Sequence, residues 1–187
     1  SATGGINVNA TMNADDTYWL EAIAGVGDTT QTGIAGSLAI HVVQTDVEAV
    51  LRNGAGAGVA VGGADVTLNA TSGTNVITRA VPYQDVVTSS SLGVGASAAF
   101  AFIDHQTRAA IDNGAVLTGA DQLSLIAQGR HTAETRAEGG AEASGSSATV
   151  LTPVVAITLA FSDTTAAIGT GAALTTTGDI ALAATHD

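Results

Sequence analysis

The feature that most limits what this chain can fold into is that it copies itself. Thr107 to Ala127 reads TRAAIDNGAVLTGADQLSLIA, Val47 to Ala70 reads VEAVLRNGAGAGVAVGGADVTLNA, and Thr164 to Ala184 reads TTAAIGTGAALTTTGDIALAA. GGINVNA, Gly4 to Ala10, is the tail of a further copy. Aligned on the segment that ends each copy, Ile6 maps to Val66, Leu123 and Ile180, at spacings of 60, 57 and 57 residues. From each of the first three anchors to the alanine of the next copy (Ala49, Ala109, Ala166) the distance is 43 residues. The one insertion is therefore three residues long and falls in the GAGAG turn around Ala55, where a glycine-rich connection absorbs it at little cost. A fixed period changes what a domain means. The chain is expected to be one continuous array, a fragment of a longer protein, with a partial unit at 1–10 and units at about 11–70, 71–127 and 128–184.

Helix is disfavoured throughout by 23 glycines, abundant Thr and Val, and apolar residues that recur every second position. Ile6, Val8 and Ala10 share one face and Asn7 and Asn9 the other, the pattern of a half-buried strand. Val66, Leu68 and Ala70 repeat it, as do Leu123, Leu125 and Ala127, and Ile180, Leu182 and Ala184. A variable part follows each such strand, at Thr11–Thr32, Thr71–Ser91 and Gln128–Ser147. The last of these, which holds AETRAEGGAEASGSS, reads as polar coil.

The most apolar strands come next: SLAIHVV, SAAFAFI and VVAITLA. In register, Leu38, Ala98 and Val155 form one column, Ile40, Phe100 and Ile157 a second, and Val42, Phe102 and Leu159 a third. These columns are the expected core. The opposite faces (Ser37, Ala39, His41; Ser97, Ala99, Ala101; Val154, Ala156, Thr158) are small and only weakly polar, so cover on both sides is expected. Polar corners are expected at Thr45–Asp46, Asp104–Gln106 and Ser162–Asp163. Gly54, Gly114 and Gly171 can supply positive φ at the turns that follow. Pro153 marks an irregular strand start.

A single unit would leave an apolar face and unpaired strand edges exposed, and stacking equivalent units buries both. The expected fold is all-β, a parallel β-solenoid (β-helix) of about three 57–60-residue repeats, right-handed by the usual crossover preference. A unit of that size divides into three coils of about 19 residues, giving a rod roughly 45 Å long at about 4.8 Å per coil. The alternative is a series of small β-sandwich modules.

The run of an apolar small-residue strand, a corner, T-x-A-x-I, x-N-G-A-x-L-T and G-D-[IV]-x-L-x-A resembles the repeat regions of large bacterial filamentous haemagglutinin-like adhesins and leukotoxin-type filamentous adhesins. The resemblance covers essentially the whole chain. It implies a secreted, extracellular cell-surface fibre or stalk used in attachment, and it brings no catalytic residue with it.

The charge balance is consistent with that class. With a formal charge of −12, no lysine and five arginines, the chain would repel phosphate backbones, so nucleic acid is not an expected partner. The absence of cysteine excludes disulfides, thiolate metal sites and a cysteine nucleophile. The longest apolar runs, Leu92–Ile103 and Ala148–Phe161, fall short of the roughly 20 residues of a spanning helix.

No residue stands out as catalytic, cofactor-binding or metal-ligating. His41, His105, His131 and His186 fall at non-equivalent positions and read as ordinary surface or corner histidines. Asp104-His105 beside Ser97 lacks the G-x-S-x-G elbow of a triad. Asp65, Asp121 and Asp179 offer one carboxylate per turn where calcium needs six to eight oxygens, so they are expected to bind turn amides, with a structural calcium the minority reading. Gly25-Val-Gly27 and Gly93-Val-Gly95 lack a dinucleotide fingerprint. Tyr18, Trp19 and Tyr83 are the aromatics that a sugar-stacking platform would use.

The expectation is a non-enzymatic structural or adhesive segment. Its partners would be neighbouring repeats of the same chain, laterally associated copies and a surface glycan. A polysaccharide-active β-helix enzyme is the competing class, with Arg108, Asp104 and Asp112 as its one plausible neighbourhood. A glycan- or calcium-binding module is the third.

Overall fold

The structure, a computed structural model, describes residues 4–13, 16–25, 31–54, 58–83, 88–89 and 91–187. The three-residue insertion around Ala55 and the Val26-Gly27 pair lie outside the described residues. The chain begins with β1 (Ile6–Thr11), β2 (Thr17–Ala24), the long β3 (Thr32–Leu51) and the short β4 (Val59–Ala60). The succession is then repeated by β5 (Val66–Pro82), β6 (Thr88–Ser89), β7 (Leu92–Ile111) and β8 (Val116–Ala120). It ends with β9 (Leu123–Ala137), β10 (Glu142–Ala143), β11 (Thr149–Leu151), β12 (Val154–Ile168), β13 (Ala173–Thr176) and β14 (Ile180–His186). No α-helix occurs among the described residues.

Every strand pairing is parallel, and every pairing joins a strand to its counterpart in another copy. Ile6 lies opposite Val66, Val66 opposite Leu123, and Leu123 opposite Ile180. Ile40 lies opposite Phe100, and Phe100 opposite Ile157. One long sheet is β1-β5-β9-β14, with β2 also on β5. A second is built on β7, flanked by β3 on one side and by β11 and β12 on the other. A third is the short β4-β8-β13. This all-β, parallel arrangement is that of a β-solenoid, and hairpins of the serial-sandwich alternative have no counterpart among the described strands.

The expected coil size is corrected by this register. Stacked partners lie a whole unit apart, so one turn of the chain uses about three times the 19 residues anticipated. The first sheet is four strands deep, roughly 15 Å between its outer strands at about 4.8 Å per step. Two local expectations change with it. β3 and β7 run unbroken through the anticipated corners at Thr45–Asp46 and Asp104–Gln106, and β12 runs through Ser162–Asp163. The supposed coil after Ala127 begins as strand, since β9 continues to Ala137. The chain does break between β11 and β12, where Pro153 cannot donate to a ladder.

The larger correction concerns which face is inside. Along β7, Ser97, Ala99, Ala101, Ile103, His105, Thr107, Ala109 and Ile111 point inward, and the alternate residues point out. The same parity holds in β3, so Ala39 and Val43 are buried while Leu38, Ile40 and Val42 are about 60% exposed, at 58, 61 and 62%. The columns anticipated as core are real, in register, and on the outside.

The shape of the interior explains the choice. The first and second sheets face each other and are spread apart at one end by the third, which makes the cross-section a wedge. At the broad end, Val61, Leu68, Ile111, Leu117, Leu123 and Leu125 pack into one apolar cluster. Nearer the thin end, Val43, Val76, Ala101 and Ile103 meet, then only Ala39, Ala80 and Ala99. Beyond them the Ser37 and Ser97 hydroxyls share a 2.8 Å hydrogen bond, and Gly95 lies against Gly140 so closely that a Cβ on it would run into the Gly140 carbonyl. No Ile or Phe fits between the sheets where Ala39, Ala80 and Ala99 meet, so at this end the large side chains of β3 and β7 go out and the small ones in.

Turn geometry follows the sequence at two of the three expected glycines. Gly114 and Gly171 take φ of 68° and 70°, a region costly for residues with a Cβ. Asn113 Oδ1 accepts hydrogen bonds from the Thr170 amide (2.8 Å) and hydroxyl (3.1 Å) of the next turn.

Urea denaturation should rank three substitutions by this wedge. Leu125→Ala, in the broad cluster, is expected to lose about 2–5 kcal/mol, and Ile40→Ala, on the outer face, less than about 1 kcal/mol. Gly95→Ala should be destabilising by about 1–3 kcal/mol or more, because the Gly140 backbone has nowhere to go. Equal losses for Leu125 and Ile40 would contradict the assigned faces.

Candidate functional site

The middle of the wedge is polar, and His105, His131 and His186 lie together there, the first buried, the second half-buried and the third exposed on the last strand. His105 is brought inward by the same two-residue alternation that buries Ala101 and Ile103. His105 on β7 is only 2% exposed, flanked by Thr107 on its own strand and by Thr45 on β3. Ser72, Thr74 and Thr78 face it from β5. His131 follows on β9, and His186 on β14. The reading of these residues as surface or corner histidines is thus overturned for His105 by its burial. The signal was present in the sequence as parity: His105 and Thr107 fall on the Ala101 face, and Ser72 and Thr74 on the Ala70 face.

Their polar atoms form a continuous chain. Thr45 Oγ1 lies 2.5 Å from His105 Nδ1, and His105 Nε2 lies 2.9 Å from Thr74 Oγ1. Thr74 Oγ1 is also 2.9 Å from His131 Nδ1, whose Nε2 is 3.2 Å from Ser72 Oγ. Ser72 Oγ is in turn bonded to Thr107 Oγ1. If each hydroxyl donates to the next group in this order, every link is made with both rings neutral, since a neutral imidazole has one N–H and one acceptor nitrogen. The His105 and His131 rings stack at 4.0 Å with 14° between their planes, and His186 lies 5.5 Å beyond. His41 stands apart, its Nδ1 3.1 Å from Thr78 Oγ1.

Burial disfavours the charged form of His131, His105 and His41. Desolvation lowers the pKa of His131 most, with the neighbouring His105 and His186 adding to it, down to about 4. Desolvation also lowers His105, outweighing the Asp104 carboxylate that acts in the opposite direction, and it lowers His41. A cavity of about 210 Å³ adjoins the stack, lined by His105, His131 and His186 with Phe161 and Ser162. The stacked rings direct their nitrogens to hydroxyls, and the two rings share that of Thr74. Among the described residues no group of three or more His, Asp or Glu side chains is arranged to hold a metal ion.

The other sequence candidates are not brought together. Asp104 points out while His105 points in, and Ser97 bonds Ser37, so no triad forms. Arg108 bonds Asp112 at 2.7 Å and lies 3.5 Å from Glu48, which pairs with Arg52 at 2.9 Å. The carboxylates that an Arg108-centred enzyme would need are engaged in this surface cluster, and Asp104 takes no part in it. Asp65 does bind a turn amide, accepting from Gln122 N–H at 3.2 Å, and Asp121 accepts from the Thr177 hydroxyl at 2.9 Å. Tyr18 packs against the Val43 and Val76 cluster, whereas Trp19 and Tyr83 are more than half exposed. Arg79 lies 4.7 Å over the Trp19 ring and bonds Glu134 at 3.0 Å.

The outer face of the β3–β7–β12 sheet is the other feature that the sequence reading misplaced. From Ile34 to Val42, from Val94 to Phe102 and from Leu151 to Leu159 its outward residues include no charged side chain. Phe102 and Phe161 close one end of it, with ring centres 5.8 Å apart. Comparison with known proteins gives no match, whether to family models, curated proteins or solved structures.

The histidine stack makes stability depend on pH in a defined direction. Between the unfolded value near 6.5 and the folded value of about 4, the unfolded chain binds more protons at His131. The stability due to the neutral ring is therefore complete above pH of about 6.5 and is lost as pH falls toward 4. The thermal midpoint should drop over that range, and drop less in His131→Gln, which keeps hydrogen-bonding capacity without titrating. Parallel pH profiles for the two proteins would remove the histidine from the account.

Proposed function

We propose that this chain is a non-enzymatic structural or adhesive repeat segment of a secreted bacterial surface fibre or giant adhesin, working outside the cell as a spacer and display surface. In this reading the repeat is 57–60 residues, each forming one solenoid coil, and about three are present. The observation that carries it is the pairing of equivalent residues from copy to copy, Ile40–Phe100–Ile157 being the clearest case. Arg108 is tied to Asp112 and Glu48, and His105 and His131 are bonded to hydroxyls that stabilise the interior. These arrangements support a scaffold over a polysaccharide-active enzyme. The sequence resemblance to filamentous haemagglutinin-like and leukotoxin-type adhesin repeats supports the extracellular setting, and no cofactor is assigned.

A glycan-binding role is the second reading, favoured by the exposed Trp19 and Tyr83. Binding on a glycan array that is lost in Trp19→Ala would support it.

Two measurements test the scaffold reading. The coding sequence of the parent protein should carry tens of further units of this period, and a lone tract beside a catalytic module would overturn the proposal. A chain lengthened by one 57-residue unit should grow by about 4.8 Å in small-angle scattering, the step of one coil, not by about 14 Å as three coils per unit require.

A further inference from the structure

We infer that the outer face of the β3–β7–β12 sheet is a self-association surface whose occupant is the same face of a second copy of this chain. The inference deepens the fibre reading by naming its lateral partner. Adding coils to a parallel stack covers strand edges and extends this face, but never covers it.

The face has both halves of a self-complementary fit. On its central strand Ala96 and Ala98 leave a shallow furrow of about 310 Å³, walled by Leu38 on one side and Pro153 and Val155 on the other. One step along the same strand stands a ridge, Phe100 and Phe102, flanked by Ile40 and Val42 and by Ile157 and Leu159. Furrow and ridge are adjacent and in line. A second copy turned by two-fold symmetry therefore seats its ridge in the furrow of the first while offering its own furrow in return. Such packing resembles the interior of a β-sandwich, with sheets about 10 Å apart.

Area and charge select this occupant. Three strands by five outward rows make a patch of about 500 Å² by strand and residue spacings, so pairing buries about 1,000 Å², the lower bound for a specific interface. A patch of that size is seldom left bare. The chain carries a net charge of −12, which opposes any close approach of two copies except where neither presents a charge, and this face is such a place. Association is then modest for the isolated chain and grows with the number of stacked copies, as further rows bind together.

Sedimentation equilibrium of the 187-residue chain tests the proposal. A monomer–dimer equilibrium that tightens with added salt is expected, as repulsion between acidic surfaces is screened. Phe100→Asp and Leu159→Asp should each raise the dimer dissociation constant by about tenfold or more, because a carboxylate would be buried unpaired. Ile77→Asp, on the other long sheet, should leave it unchanged. Circular dichroism and melting of each variant establish that it is folded, and Leu159→Asp decides the matter if Phe100→Asp does not fold.

The sharpest variant is Ala98→Phe. It adds apolar surface but fills the furrow, so a ridge-in-furrow dimer weakens by about tenfold while indiscriminate apolar contact strengthens. A wild-type chain that stays monomeric at the highest attainable concentration would overturn the inference. So would association that survives both aspartate variants, as in end-on stacking, or tighter association in Ala98→Phe. Binding to neutral phosphatidylcholine vesicles in place of self-association would identify a lipid surface and equally overturn it. None of these results bears on the unit count in the parent gene, so failure of the lateral contact and failure of the fibre reading remain distinguishable.

Discussion

The structure depends on one constraint: parallel strands stack in register, so each residue is hydrogen-bonded beside its counterpart from another copy. Whatever is placed at a position is therefore repeated along the stacking direction. This favours side chains that tolerate their own kind as neighbours. Ala49 beside Ala109, or Leu68 beside Leu125, bury well at the strand spacing. Like charges do not unless each has its own counter-ion, as Arg79 and Arg136, which stand side by side, have in Glu134 and Glu138; other outward positions avoid the pairing. Glu48 stands beside Arg108, while Asp46 and Asp163 are separated by Gln106. The low content of charged residues, 12%, follows from the same rule.

The wedge-shaped interior is the second determinant. It is wide only where a third sheet props the two long ones apart, and there Leu and Ile fill it. Toward the thin end the residues shrink to Ala, Ser and Gly. The hydroxyl–imidazole chain occupies the middle, where the gap suits neither a leucine nor a bare backbone contact. Fully bonded, such a network fixes the lateral offset of the two sheets, which apolar contacts alone leave free to slide. It also makes the middle of the coil sensitive to protonation, while the broad end, wholly apolar, is not.

The two determinants leave unlike faces on the outside. The outer face of the first sheet is mixed, with Thr132 bonded to Asn75, Arg79 to Glu134, and Trp19 beneath Arg79. The outer face of the second is uncharged and apolar over five rows. A molecule whose sides differ this much can present one to water and another to a neighbour. The interior histidines, the chemically most versatile side chains present, are committed to holding the sheets together.

The sequence alone showed the repeat, the two-residue alternation of its strands and the correspondence of Ile6, Val66, Leu123 and Ile180 at spacings of 60, 57 and 57 residues, but three coils of about 19 residues fit that period as well as one, and only the structure showed that a whole unit makes one coil. The sequence also located the turn glycines at Gly114 and Gly171 and the break at Pro153. It could not say which face of the most apolar strands lay inside. Alternation every two residues defines two faces and is silent on their direction, and the bulkier face was the natural choice for a core. Only the tertiary structure decided otherwise, because the gap between the sheets, narrow where Ala39 and Ala99 meet Ala80 and wide around Leu117, admits the small face at the narrow end and expels the large one. Likewise, His105 and His131 belong to one site only because β7 and β9 are brought together across the interior, a proximity that no local pattern encodes.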